Sequence, residues 1–237
     1  VERTRGGHLA AHVHLVDPTE ELGALVGVLE DVVVIPFNDP ERALRILEKH
    51  EDTLAGVLID PLPGRIGFIS ATRDFLDMIR DFTQRTGSLL IFDEVICFRL
   101  GYGGAQNEFA CEPDLTALGK VVGGGFPLGV VGGRKDVMSV FDLLRNRPPI
   151  IQGGTFNANP VSMVAGLAAM ELLTPETFDR LNGLGTLARA LMAEAFAAAG
   201  ARGNVTGMGS VFRFQLTDRT VSDYRTSYLD AAEKQKI

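Results

Sequence analysis

Cysteine is scarce. Only Cys97 and Cys111 occur in 237 residues, too few for a disulfide framework, and that fits a reducing, cytoplasmic compartment. Positive charge is scarce as well. The 23 Lys and Arg stand against 30 Asp and Glu, for a net charge of −7. A nucleic-acid partner usually needs a basic face, so this balance argues against one. No apolar run reaches the ~18 residues of a membrane span, and no membrane association is expected. The opening stretch VERTRGGHLAAHVH is polar and lacks the apolar centre of a signal peptide. What is present reads as globular: 46% hydrophobic and 22% charged residues exclude a disordered chain. At roughly 150 residues per domain the length suits one large domain, or one with part of another. Such a chain can bury a core without disulfides or metal.

Glycine is abundant. Of 27 glycines, 12 lie between Gly101 and Gly154 with no regular period. Such a cluster brings backbone close to a ligand or makes a set of tight turns. Two familiar glycine fingerprints fail here. In the Walker pattern glycines precede the lysine and a hydroxyl follows it, whereas Gly123, Gly124 and Gly125 follow Lys120, and Val121 takes the hydroxyl position. In the dinucleotide pattern Gly101-Tyr102-Gly103 is followed by Gln106 where the third glycine belongs.

Strands alternate with helices along the chain. Val32–Ile35 predicts a buried strand, and Asp39 followed by Pro40 predicts a helix cap and first helical position. Ala55–Asp60 is an apolar run ending in an acid. Thr72–Thr86 predicts the clearest helix, with Phe75, Leu76, Met78, Ile79 and Phe82 on one face and Gly87 as its stop. Leu89–Phe92 is an apolar strand ending at Asp93-Glu94. Continuous apolar strands suit a mostly parallel α/β sheet flanked by helices, whose ligands gather at the carboxyl ends of the strands. Asp60 and Asp93 both lie there. Leu128–Gly133 predicts another strand, Pro160–Leu173 a mostly buried helix rich in small residues, and Thr177–Ala199 a second long helix. Gly203–Gly209 reads as a glycine-rich turn before a half-buried strand, Val211–Leu216. The helix-then-strand tail differs from the βαβ pattern before it and places a domain boundary near residue 165.

Three features carry chemistry. The first is the strand-end acid pair of LLIFDEV. The second is Lys120, whose apolar and glycine neighbours predict a desolvated amine able to act as a nucleophile. The third is QGGTFNANP, in which Thr155 follows two glycines and offers a hydroxyl and free N–H groups to an anion.

Taken together, LIFDEV, PDLTALGKVVGGGFPLGVVGGR and QGGTFNANP resemble the class III pyridoxal-phosphate (PLP) aminotransferases of fold type I. Within them the likeness is greatest to glutamate-1-semialdehyde 2,1-aminomutase and its aminotransferase relatives. It runs from about Val32 to at least Leu216. The resemblance implies PLP as cofactor, a small amino or carbonyl substrate, and a homodimer. Residues 1–165 would then be part of the large PLP-binding domain and residues 166–237 the start of a smaller α+β C-terminal domain. By motif position Asp93 would pair with the pyridinium nitrogen and Val95 would pack on one ring face. Lys120 would hold the cofactor as an internal aldimine and then carry the proton. Gly154 and Thr155 would reach the phosphate of the neighbouring subunit's cofactor. Mutase and transaminase stay open.

This chain also departs from the family pattern. Members run to roughly four hundred residues, so the chain reads as short at both ends, with the family's own phosphate-binding helix start upstream of residue 1. Asp60 stands where the family more often has Glu, and Arg65 where it more often has Asn. The aromatic partner for the other ring face is missing from Gly6–Ala10. The alternative is therefore a truncated, catalytically incompetent homologue acting as a folded partner-binding protein. A PLP-free Schiff-base lyase would leave Asp93 and Thr155 without a role.

Overall fold

The computed structural model describes residues 11–12, 31–142, 144, 148–217 and 219–227; the expectations for Gly6–Ala10 lie outside them. A six-stranded sheet organises the chain. Its strands are β1 (Ala11–His12), β2 (Val33–Val34), β3 (Gly56–Ile59), β4 (Leu89–Asp93), β5 (Leu115–Gly119) and β6 (Gly129–Gly133), in the order β2-β1-β3-β4-β5-β6. All neighbours are parallel except β5 and β6, which run antiparallel. The mostly parallel α/β architecture expected from the sequence is present.

Two helices cover one face of this sheet, and both start and stop on local signals. In α1 (Pro40–Leu47) the Asp39 carboxylate accepts the Arg42 N–H at 3.0 Å, and Pro40 fills the first turn. In α2 (Arg73–Thr86) Thr72 caps the start through Phe75 N–H, and Gly87 closes the end at φ 74°. These caps satisfy N–H and C=O groups that a helix end leaves without internal partners. The apolar face of α2, Phe75, Leu76, Ile79 and Phe82, is buried against Val57, Ile59, Leu90 and Phe92. Each such side chain contributes roughly 1.5–3 kcal/mol relative to exposure. The β4 side chains alternate: Leu90 and Phe92 are buried on the helix face, while Leu89, Ile91 and Asp93 are half-buried on the other.

After β6 come two long helices, α3 (Pro160–Leu172) and α4 (Pro175–Ala198), and a separate antiparallel hairpin of β7 (Asn204–Met208) and β8 (Val211–Gln215). The position near 165 falls inside α3. The buried strand expected at Val32–Ile35 is instead the two-residue edge strand β2, with Val33 half-buried and Val34 exposed, because among the described residues only β1 pairs with it. Two further sequence expectations need correction here. First, α3 is not mostly buried. Only Ser162 and Gly166 are, while Val161, Met163, Val164, Leu167 and Leu172 are exposed. The helix is apolar all round, so its sequence cannot tell which stripe meets a neighbour. Second, Gly203–Gly209 is not simply a turn, since most of it is β7. At Gly207 the φ of +131° and the close passage of Val211 and Phe212 leave no room for a side chain. That glycine serves the pairing instead of ending it.

Asp114 ties these layers together. It is 2% exposed and accepts the Leu90 N–H at 2.8 Å, an Arg80 N–H from α2 at 2.9 Å and an Arg134 N–H from beyond β6 at 2.8 Å. Burial pushes its pKa up, but the bonds from Arg80, Arg134 and Leu90 outweigh this and bring it down to about 2. A carboxyl whose pKa is lowered on folding adds stability above its unfolded pKa and loses it as pH falls through the folded value. Asp114→Asn is therefore expected to lower stability at pH 7 by about 2 kcal/mol, discounted because Arg134 is half-exposed. The acid loss between about pH 4 and 2 should shrink with it. Urea melts of both proteins across that range check this, and identical pH profiles would refute it.

Candidate active site

The carboxyl ends of β3, β4 and β5 meet at one edge of the sheet. Parallel pairing aligns Ile59 with Phe92 and Asp93 with Ala117. The chain then delivers Asp60 after β3, Asp93 at the end of β4 and Lys120 immediately after β5. Asp93 Oδ1 accepts the Val95 N–H at 3.0 Å, and Asp60 Oδ1 accepts the Leu62 N–H at 2.9 Å. Burial raises the Asp60 pKa to about 7. The neighbouring Asp93 charge adds to the rise, while the Leu62 N–H, Cys97 and Lys120 oppose it. The three ionisable groups thus share one electrostatic site.

Lys120 differs from expectation. Its side chain is exposed, not desolvated. It stands at the mouth of a cleft of about 690 Å³ lined also by Val95, Ile96, Arg99, Phe126 and Leu128. Its backbone has φ 50°, a left-handed conformation that residues other than glycine adopt uncommonly. Such strain persists where surrounding structure enforces it. Here the enforcement comes from α3. At Gly124 a side chain would strike the Ala165 carbonyl, and at Gly166 one would strike the Val122 carbonyl. Helix and turn approach backbone to backbone, and this fixes the 120–124 turn. The glycine cluster that stood out in the sequence is explained at these points by close packing.

Glu94 plays a different part from its neighbour. It is fully buried and accepts the Ala105 N–H at 2.6 Å, with longer bonds from the Gln106 N–H and side-chain amide. Burial raises its pKa, and these bonds oppose the rise. Its carboxyl anchors the short helical segment Gly104–Glu108. Adjacent acids thus divide into a buried anchor and a half-buried strand-end group. Val95 packs beside Gly119 and forms a wall of the cleft.

Gly154 and Thr155 lie in an exposed loop before α3, where Asn157 N–H bonds the Gly154 carbonyl at 3.0 Å. They do not line the Lys120 cleft. The structure brings Asp93, Val95 and Lys120 to one edge and leaves Gly154 and Thr155 apart. Sequence reasoning passed over Asp60 and Arg99 as site residues. For Asp60 the signal was its strand-end position; Arg99 carried none. Among the described residues no cluster of His, Cys, Asp and Glu could hold a metal ion, and no helix is long and apolar enough to cross a membrane.

Residues 24–235 match the family model for class III aminotransferases. Glutamate-1-semialdehyde 2,1-aminomutase of Thermomicrobium roseum is 39% identical over 207 residues, which cover 86% of this chain and 47% of that protein. Among solved structures, an omega-transaminase from Sphaerobacter thermophilus matches with a TM-score of 0.87 and 51% identity, over 91% of this chain and 49% of the other. A transaminase structure with PLP bound matches with a TM-score of 0.79 and 47% identity, over 81% of this chain and 46% of the other. The chain therefore spans about half the length of the relatives it matches. The strand-end geometry, the fold type I sheet and these likenesses agree: this chain belongs to the class III aminotransferase family.

Proposed function

We propose that this chain is part of a PLP-dependent enzyme that moves an amino group from an amino donor to a carbonyl acceptor. Where both carbons belong to one molecule, the same chemistry makes an aminomutase. The observation that carries this reading is a primary amine, Lys120, held just past β5 in a cleft walled by Val95, with the carboxylate Asp93 at the end of the neighbouring parallel strand β4. The donor set suits the cofactor: an amine for its aldehyde, a carboxylate for its ring nitrogen and an apolar wall for its ring face. When bound, PLP supplies an aldehyde that condenses with amines and a ring that withdraws electrons from the substrate carbon.

The chain's own residues have separable tasks. Lys120 Nζ would hold the cofactor through its amine and, when released from it, would accept and return a proton. The turn gripped by α3 holds that amine at the cleft mouth. Asp93 presents negative charge at a fixed oxygen, since its other oxygen is engaged by Val95 N–H. We assign Gly154 and Thr155, with their exposed hydroxyl and N–H groups, to the phosphate of the cofactor in a neighbouring subunit of a homodimer. The presence of Asp93, Lys120 and Thr155 together speaks against a non-enzymatic homologue, and Asp93 and Thr155 speak against a PLP-free lyase. Residues 1–165 form part of the large domain in this reading, with residues 166–237 contributing to a smaller one. The separation of the β7–β8 hairpin from the main sheet supports that division.

Incubation of the chain with PLP, followed by borohydride reduction and peptide mapping, tests the assignment. A borohydride-stable label on Lys120 is expected. Lys120→Ala should abolish it with an unchanged unfolding midpoint, because the side chain is exposed and alanine bears the same left-handed cost. Label retained in that variant would overturn the role of Lys120. Asp93→Asn should preserve cofactor binding and cut amino transfer about a hundredfold. An amide lacks the charge that keeps a ring nitrogen protonated, and two pKa units on that nitrogen correspond to about 2.7 kcal/mol. Turnover within a few-fold of the unaltered protein would rule out the ion pair.

A further inference from the structure

Asp60 and Asp93 are twins in their backbone setting. They follow the paired residues Ile59 and Phe92 on adjacent parallel strands. Each turns one carboxylate oxygen back to the N–H two residues ahead, at 2.9 Å from Leu62 and 3.0 Å from Val95. The register thus sets the two carboxyl-bearing residues side by side at the ends of neighbouring strands. Between the two strand ends sits the fully buried Cys97 thiol. It donates to the Asp93 carbonyl at 3.4 Å and lies within hydrogen-bonding reach of the Asp60 carboxyl. Burial pushes that thiol's pKa upward, and the fields of Asp60, Glu94 and Asp93 push it further. The thiol therefore remains a neutral donor and brings no charge to the pair.

Among the described side chains, no other charge neutralises Asp60. The exposed Lys120 acts on it from the turn after β5, with less effect than burial. Arg65 in its own loop and Arg99 beyond Cys97 are exposed. On the other side of β3, β1 places His12 in register with Leu58, two positions before Asp60. Two carboxyls set side by side on neighbouring strands repel each other when both are ionised, which couples one to the other.

We propose that Asp60 and Asp93 form one coupled acid pair at the strand ends, so that the state of Asp60 governs the negative charge the edge presents beside Asp93. Asp60 is thus a positioning residue that acts through Asp93. Its bearing on the cofactor rests on the function proposed above; the pairing itself does not. Burial of Asp60 supports this, since it raises the Asp60 midpoint to about 7. Loss of that proton adds a second negative charge to the edge, which favours a cationic group placed against Asp93.

Carbon NMR of the cofactor-free chain, with labelled aspartate carboxyls, tests the pair directly. Asp60 is expected to titrate near pH 7, and Asp93→Asn should move that midpoint down while Cys97→Ala moves it up. Titration of Asp60 near its ordinary value of 3.8, or a midpoint unmoved by Asp93→Asn, would overturn the proposal. A second measurement covers variants that fold poorly. A carboxyl whose pKa is raised on folding adds stability that is complete below its unfolded pKa and is lost as pH rises through its folded value. The stability of the unaltered chain should therefore carry a declining component between about pH 4 and 7. Asp60→Asn should remove it; an unchanged slope counts against the pair. Added PLP should lower the Asp60 midpoint by at least half a unit, because a cationic ring nitrogen favours the ionised pair. Bound PLP with no such shift would break the link to the cofactor. Failure of PLP to bind would sink the cofactor reading alone, since the pair is read without it.

Discussion

Parallel hydrogen bonding between β3, β4 and β5 is the constraint on which the rest depends. Parallel strands end at the same edge, so side chains more than fifty residues apart in sequence are delivered to one place. The register does this residue by residue: Ile59 beside Phe92 and Asp93 beside Ala117 put Asp60, Asp93 and Lys120 within one electrostatic neighbourhood. A slip of one residue would turn each strand's side chains to the opposite face. The buried Phe92 and the half-buried Asp93 would then exchange places. The aromatic packing of the core and the placement of the polar edge are therefore one requirement.

The edge holds its shape because the charges not used in the cleft are satisfied elsewhere. Asp114 joins β4, α2 and the segment after β6 through three bonds. Glu94 binds the start of the Gly104–Glu108 segment. Both are buried acids with assigned donors, so neither competes for the cleft. Asp60 and Asp93 each have a single backbone donor at their ordered oxygen, and that leaves capacity for a ligand or for one another.

Packing also explains how a solvent-facing lysine keeps a defined position. An exposed side chain on a free loop would sample many orientations and lose its directional value. Lys120 instead springs from a left-handed residue, between the last residue of β5 and a turn clamped against α3 by two glycine contacts. The backbone is fixed and the amine is free. That combination suits a group that must hold one partner, release it and move a proton nearby.

Much of this was legible in the sequence where the signal is local. Asp39-Pro40 and Thr72 at helix starts, Gly87 at a helix end and the apolar face of α2 each act through neighbours within a turn, so residue type alone fixed those boundaries. The motifs around Asp93, Lys120 and Thr155 identified the family for the same reason, because they are contiguous strings. Non-local matters were not legible. The sequence of α3, apolar all round, did not reveal that only its Gly166 stripe is packed. Gly207 read as a turn because its strand partner lies beyond the next bend. Small neighbours suggested a desolvated Lys120, yet exposure depends on which segments close over a residue. Sequence set which chemical groups stand at the strand ends; only the tertiary register decided that Glu94 points into the core while Asp60 and Asp93 stand together, because burial and field are properties of the whole packed edge.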